Sequence, residues 1–479
     1  MAQEVDPTHG AGNGSGADTG DVAIPVLLLV AGLAVLAVSQ GGFYWRARTI
    51  SELLVGASGV AFVATTRRSR TSSAATLTGL GALAASTLVT GFVSGHPSGL
   101  FVELSVIAAA AVIVYVVAGL AAAGRDQLQT LVTYVAVFLA ITAWLGVAFH
   151  ISPLAHVDGG LWRAATTITY ANASAAALTI AALLALSGAI ERPDPVRRLL
   201  SAAVLTGLAA TLSRAGIGAL IGGLLILAFL VGPARVITAT WPSVLGAAIA
   251  FIGLLPGSPS PGPAQPAWAI AGLVAGLGLA VAPWPPKWTH PSTGRSRLGR
   301  SAIVAALVGV ALLAGLAIGL AQHSSVWSAR LSLASPDRHS ANGAAWKLFA
   351  DHPLVGVGPG QAVLLWTEPG GRLVIDHYAH DEYLQVAAEQ GALGLAALVA
   401  LIGGVAWTAR RGWRTGPTLV RAGAIAGLCA FAVHSGFDFL WHVPIVTFLA
   451  AVAIGLASPL PATGSKEKPN PTEEIQNAS

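Results

Sequence analysis

Apolar stretches of roughly 16–25 residues follow one another along this chain with only short polar breaks, and that is the length a helix needs to cross about 30 Å of hydrocarbon. Lipid offers no partner to backbone N–H and C=O groups, so each stretch has to be helical. The runs fall near 22–39, 50–65, 73–91, 101–121, 128–149, 164–190, 199–213, 215–231, 236–255, 267–283, 302–321, 383–408, 418–436 and 439–458. The expected fold is therefore all-α, a polytopic integral membrane protein of about 12–14 transmembrane helices. Composition agrees, since 54% of the 479 residues are hydrophobic and 10% are charged. Soluble domains carry about a quarter charged residues, so this chain lacks the polar surface to cover itself. Residues 1–20 contain no Lys or Arg. The first run, Val22 to Val38, is thus expected to remain as a helix and not to act as a cleaved leader. The single cysteine, Cys429, excludes an intrachain disulfide and a cysteine-rich metal site.

Orientation is read from the basic residues of the breaks. With the N-terminus inside, the inner segments hold 18 of the 26 Lys and Arg residues, including Arg67-Arg68-Ser69-Arg70 and Arg410-Arg411-Gly412-Trp413-Arg414. Topology thus explains the net charge of +5 without a nucleic-acid partner. Arg46 and Arg48 are the discordant pair. The expected organisation is a cytoplasmic tail (1–21), eleven helices (22–321), one large outer loop (322–382), three more helices (383–459) and a second cytoplasmic tail (460–479). Within the outer loop, 340–350 reads as a short helix that the turn-rich 353–360 ends. A loop of this length in a compact protein usually carries function or is disordered, and its aromatic residues argue for function.

The densest polar cluster, Asp376-His377-Tyr378-Ala379-His380-Asp381-Glu382-Tyr383, lies just before a membrane span. A histidine beside carboxylates at a water–lipid boundary can act as a general base. The same residues could instead anchor a helix end, and His377, His380 and Asp381 could also ligate a metal. Arg214 sits between two apolar segments, where a charge is costly and marks a functional candidate. Its planar guanidinium suits a diphosphate, although it could also snorkel to the interface. Arg330, Arg338, Lys347 and Arg372 bring further positive charge to the outer loop. Glu389, inside the following span, is expected to hydrogen-bond a neighbouring helix. His434, Asp438 and His442 recur every four residues, which aligns them on one face if the helix runs unbroken. They fall at the outer turn between the last two spans and could line the same site.

In order along the chain, these segments resemble the O-antigen ligase and O-antigen polymerase superfamily of bacterial membrane glycosyltransferases. Tyr170-Ala171-Asn172-Ala173 is similar to its Tyr-x-Asn-Ala span, and Ser213-Arg214 with the glycine at 216 to its Ser-Arg-Gly motif. Asp351 to Gly360, after an Arg and a Trp, and His380 to Leu395 resemble two further motifs around the outer loop. The resemblance implies an inverting, metal-independent transfer of a glycan from undecaprenyl diphosphate, in the bacterial cytoplasmic (inner) membrane and without a cofactor. It gives His380 the role of catalytic base and Arg214 and Arg330 those of diphosphate ligands. Arg338, His377, Asp381, His434 and Asp438 are expected to line the site, with no metal. The acceptor could be a glycan, a glycolipid or a protein. The alternative is a transporter or flippase for lipid-linked sugars, which the scarcity of charges at mid-span disfavours.

Overall fold

A computed structural model describes residues 23–66, 73–284, 336–368 and 370–461. Among these residues the fold is an all-α polytopic membrane protein. The helices are α1 (Ala23–Val38), α2 (Trp45–Thr65), α3 (Ala74–Val93), α4 (Leu100–Gly119), α5 (Ala122–Phe149), α6 (Ala171–Glu191) and α7 (Pro195–Ala210). There follow α8 (Arg214–Val231), α9 (Pro233–Leu254), α10 (Pro266–Val281), α11 (Pro336–Asp351), α12 (Glu382–Thr415), α13 (Leu419–Ser435) and α14 (Pro444–Ala457). Eight of them are long and apolar enough to cross a bilayer, while α1, α10, α13 and α14 are apolar but shorter. The expected span at 302–321 lies outside the described residues, as does Arg330.

The centre of the bundle is α6. Every residue from Ala171 to Ile190 is buried, and α5, α7, α8, α9, α13 and α14 all pack against it. Its sequence explains why. Hydrocarbon tails are as apolar as leucine, so helices in a membrane associate through close packing of small side chains, and seven of the first twelve residues here are alanine. The same device joins α3 to α12. A side chain at Gly79 would meet the Leu401 backbone at 2.5 Å, and one at Gly404 would meet the Ala75 carbonyl oxygen at 2.4 Å. Thr76 and Thr408 hydrogen-bond across that contact at 2.9 Å.

Two arginines that the charge pattern assigns to the inner face are in fact buried helix caps. Arg125 donates to the carbonyls of Ala118, Ser458 and Pro459 at 2.7, 2.6 and 2.9 Å, and Arg421 donates to Ser458 at 3.0 Å. They satisfy carbonyls left open where α4 and α14 end.

The structure departs from the expected spans in two places that matter for the site. The run read as 164–190 begins as a helix only at Ala171. Before it, β1 (Ala155–Asp158) and β2 (Leu161–Ala164) form an antiparallel hairpin. Gly159 and Gly160 close it with φ of 59° and 75°, the left-handed pair that a two-residue hairpin turn requires. The second departure is between α13 and α14, where residues 436–443 form a turn. His434, Asp438 and His442 therefore do not share one helical face; only His434 is on the helix. A second hairpin, β3 (Leu364–Thr367) and β4 (Leu373–Asp376), precedes α12.

The two sequence segments around the outer loop are halves of one backbone interlock. At Gly391 α12 breaks, with φ 62° and ψ −156°. A break deep in a helix strands carbonyls above it and amides below it, and buried groups of this kind need partners. The glycine-rich segment after α11 supplies them. Val357 N donates to Ala388 O at 3.0 Å and Gly358 N to Glu389 O at 2.9 Å, while Pro353 O and Leu354 O accept from Ala392 N and Leu393 N at 2.8 and 3.2 Å. Glu389, expected to hydrogen-bond a neighbouring helix, bonds Glu103 of α4 and also accepts from Gly360 N at 3.0 Å and from Gln385 at 2.6 Å. A Cβ on Gly356 would lie 2.2 Å from the Glu389 carbonyl carbon, and one on Gly391 2.4 Å from that of Leu354. Both glycines also have positive φ. Gly356→Ala and Gly391→Ala should each cost about 2–4 kcal/mol. The expected readout is a clear drop in thermal stability in detergent, whereas alanine at Gly403, which has open space around it, should leave stability nearly unchanged.

Candidate active site

The turn between α13 and α14 places Asp438 at one end of the bundle with no side-chain exposure. A carboxylate taken out of water is tolerated only when donors surround it. Oδ1 accepts from the Tyr170 hydroxyl at 2.6 Å, from His380 Nδ1 at 3.2 Å and from Phe439 N at 2.9 Å. Oδ2 accepts from Asn172 Nδ2 and from Arg338 Nη2, the latter at 3.4 Å. Burial alone would raise the Asp438 pKa, but the hydrogen bond and charge of His380, the Arg338 guanidinium and the Tyr170 hydroxyl hold it below the ordinary carboxylate value. Tyr170 is driven well above its ordinary value by burial and by the adjacent carboxylate, so it stays a neutral donor.

His380 reaches Asp438 because α12 starts immediately after it. Asp381 is the N-cap, accepting from the amides of Tyr383 and Leu384 at 3.0 and 3.1 Å, which fixes the chain direction at the helix start. An ionised carboxylate can only accept, so the His380 nitrogen facing Asp438 carries a proton, and in the neutral imidazole Nε2 then presents a lone pair. The ring also lies against Phe439, with centroids 5.5 Å apart. This is the arrangement of a general base held by a carboxylate.

Asp438 is backed by residues the sequence reading did not single out for chemistry. Asn172 Oδ1 accepts from Arg163 Nη2 at 3.2 Å and from Ser213 Oγ at 2.9 Å. Arg163 is in turn paired with Asp158 across the β1–β2 hairpin and donates to Thr211 O at 3.0 Å. Ser213 caps α8, accepting from Gly216 N at 3.2 Å. Asn172 is visible in the sequence only through the Tyr170–Ala173 motif. Arg163 had no signal, because it falls where the apolar run was read to begin.

The other candidates take varied positions. Arg338, on the first turn of α11, is the loop arginine that joins the His380–Asp438 pair. Arg214 is the first residue of α8, half-buried, its guanidinium without a hydrogen bond or ion pair to another described residue; it adjoins the Ser213 cap. Arg372 instead forms a two-pronged pair with Glu368 at 2.9 and 2.8 Å, in an exposed turn. His377 is exposed and bonded to Ala362 O at 3.1 Å. His434 is buried close enough to Asp438 to feel its charge, and neither ring nitrogen has a hydrogen-bond partner among the described residues.

A second histidine–carboxylate pair lies beside the first. Glu382 accepts from Trp441 N, and His442 Nδ1 is 3.5 Å from Glu382 Oε2. Tyr378 links the two pairs through its ring, stacked on Phe439 at 4.8 Å and tilted against His442 at 4.8 Å. Burial pulls the His442 pKa down, but the carboxylates of Glu382, Glu389 and Glu103 outweigh it and raise it to about 9. A histidine with a raised folded pKa contributes stability that is fully present below its unfolded value and lost as pH rises through the folded one. The melting temperature of the wild type in detergent should therefore fall between pH 7 and pH 10. His442→Gln should be less stable at pH 7 and show a flatter decline.

An all-helical membrane bundle with a carboxylate-held histidine among arginines is an integral-membrane protein with a candidate base-catalysed site. The model of the O-antigen ligase family matches residues 267–399. That match covers little more than a quarter of the chain and supports the resemblance to the O-antigen ligase and polymerase superfamily. A search of the curated proteins finds no significant match. The matched segment contains His380, Arg338 and both halves of the interlock, whereas Asp438, Tyr170, Asn172 and Arg214 lie outside it.

Proposed function

We propose that the protein transfers a glycan from undecaprenyl diphosphate to an acceptor hydroxyl, with inversion and without a metal ion. In this reading the site faces the outer side of the bacterial cytoplasmic membrane and both termini are cytoplasmic. The observation that carries it is the hydrogen bond from His380 Nδ1 to the buried Asp438 carboxylate at 3.2 Å. It leaves Nε2 free to take the acceptor proton as the acceptor oxygen attacks the anomeric carbon. The bond from that carbon to the diphosphate oxygen breaks on the opposite face, and its electron pair leaves with the undecaprenyl diphosphate. Asp438 stabilises the imidazolium that forms.

The leaving group gains negative charge, and preorganised cations beside it lower the barrier. Arg214 is suited to this, since it stands at the N-terminus of an 18-residue helix whose dipole also favours an anion. Arg338 is the second cation by position, and Arg330 the third by its resemblance to the family. A largely apolar cavity of about 750 Å³ supports a lipid-linked substrate. Its lining extends from Tyr378 and His442 beside the site to Arg410 and Trp413 at the far end of α12. It suits the hydrocarbon of a polyprenyl chain.

The test is consumption of radiolabelled undecaprenyl-diphosphate glycan by purified protein with EDTA present, across hydroxyl-bearing lipid, glycan and protein acceptors. Wild type should release undecaprenyl diphosphate. His380→Ala should insert and bind donor but lose at least about 100-fold in turnover. Full activity in that variant would sink the mechanism. Carrier movement across liposome bilayers without turnover would point to a flippase.

A further inference from the structure

We infer that Asn172 is a positioning residue for the His380 base, acting through Asp438, and that with Ser213 it ties this base to the helix that begins at Arg214. The inference rests on the glycosyltransferase reading for the role of His380 but is carried by hydrogen-bond chemistry around a single amide. A guanidinium can only donate, so the Asn172 atom facing Arg163 at 3.2 Å is its oxygen. That leaves the amide nitrogen towards Asp438 Oδ2, which, being ionised, can only accept. The amide orientation is thus determined from both sides. The Ser213 hydroxyl, 2.9 Å from the same Asn172 oxygen, accepts from Gly216 N with its own oxygen.

One chain of contacts therefore runs from the first turn of α8 through Ser213, Asn172 and Asp438 to His380 Nδ1. Its members are all buried except His380, which is partly exposed. On the other side of Asn172, Arg163 is anchored by Asp158 and by the Thr211 carbonyl, so the amide cannot swing away from the carboxylate. Tyr170 holds the other carboxylate oxygen at 2.6 Å. With both oxygens engaged from the α6 start, the carboxylate plane is set, and with it the direction of the His380 ring. The chain gives a physical route by which a donor diphosphate engaged at the start of α8 meets a base already oriented.

The test replaces one donor group and then restores it. Asn172→Asp has the same shape and still accepts from Arg163 and Ser213, but it sets a carboxylate against Asp438. It should lower kcat by about 10–100-fold, with the KM for undecaprenyl-diphosphate glycan changed less than about 2-fold. Asp438→Asn should also be slow. Combining the two reverses the hydrogen bond, with Asn at 438 donating to Asp at 172, and should recover about 10-fold over the Asn172→Asp variant because the losses are not additive. Losses that simply multiply, or a raised donor KM with unchanged kcat, would overturn the inference. The ring tautomer of His380, read by 15N NMR against the His380→Ala protein, needs no turnover. It should be Nδ1–H in wild type and shift in Asn172→Asp. An unshifted tautomer overturns the positioning role, whereas a wild type that consumes no donor overturns the glycosyltransferase reading alone.

Discussion

A carboxylate with no solvent exposure has to be met by donors, and Asp438 obtains them from four parts of the chain that are far apart in sequence. The start of α6 supplies Tyr170 and Asn172, α11 supplies Arg338, the residue before the α12 cap supplies His380, and its own turn supplies Phe439 N. Leaving any of these out would strand charge or a polar group in a low-dielectric setting, at a cost of about 3–5 kcal/mol for a broken buried pair. The requirement accounts for much of the architecture at this end of the bundle. The turn after α13, the hairpin before α6 and the cap of α8 all converge on this one side chain.

The interlock between α12 and the glycine segment performs the complementary task for the backbone. A helix broken at Gly391 is tolerable at membrane depth only where other protein replaces the missing bonds, and residues 353–358 do so with four main-chain hydrogen bonds. The break has a consequence for the site. It redirects the first two turns of α12, which carry Glu382, Gln385 and Glu389, so that Glu382 meets His442 and Trp441 while Glu389 holds Gly360. Rigidity of this kind is what a base needs, because proton transfer depends on distance and alignment more than on the presence of a histidine.

Neighbouring histidines differ in what surrounds them. His380 faces a carboxylate that is itself saturated, so its outer nitrogen is free for chemistry. His442 sits among three glutamates and is held protonated by them, which suits a structural ion pair more than a base at neutral pH. His377 is on the surface, tied to a loop carbonyl. The cluster from Asp376 to Tyr383 thus divides into separate tasks. His380 is the candidate base, Asp381 caps the helix, and Glu382 binds the turn that carries Asp438.

The amino-acid sequence by itself determined the helical membrane fold, because uninterrupted apolar runs leave the backbone no other way to satisfy its hydrogen bonds in lipid. It also made His380, Arg214 and Arg338 legible, since charges next to or between apolar runs stand out from their surroundings. Only tertiary structure decided which of them lie together, His380 and Arg338 on the Asp438 carboxylate. Asn172 and Ser213 stand out only as members of short motifs and Arg163 not at all, and what they do lies in pairings over sequence separations of 9, 41 and 266 residues. The regular four-residue spacing of His434, Asp438 and His442 suggested a common face, but the helix stops at Ser435, Asp438 meets His380 and His442 meets Glu382. Periodicity reports local geometry, whereas a buried charge selects its neighbours from wherever the fold brings a donor.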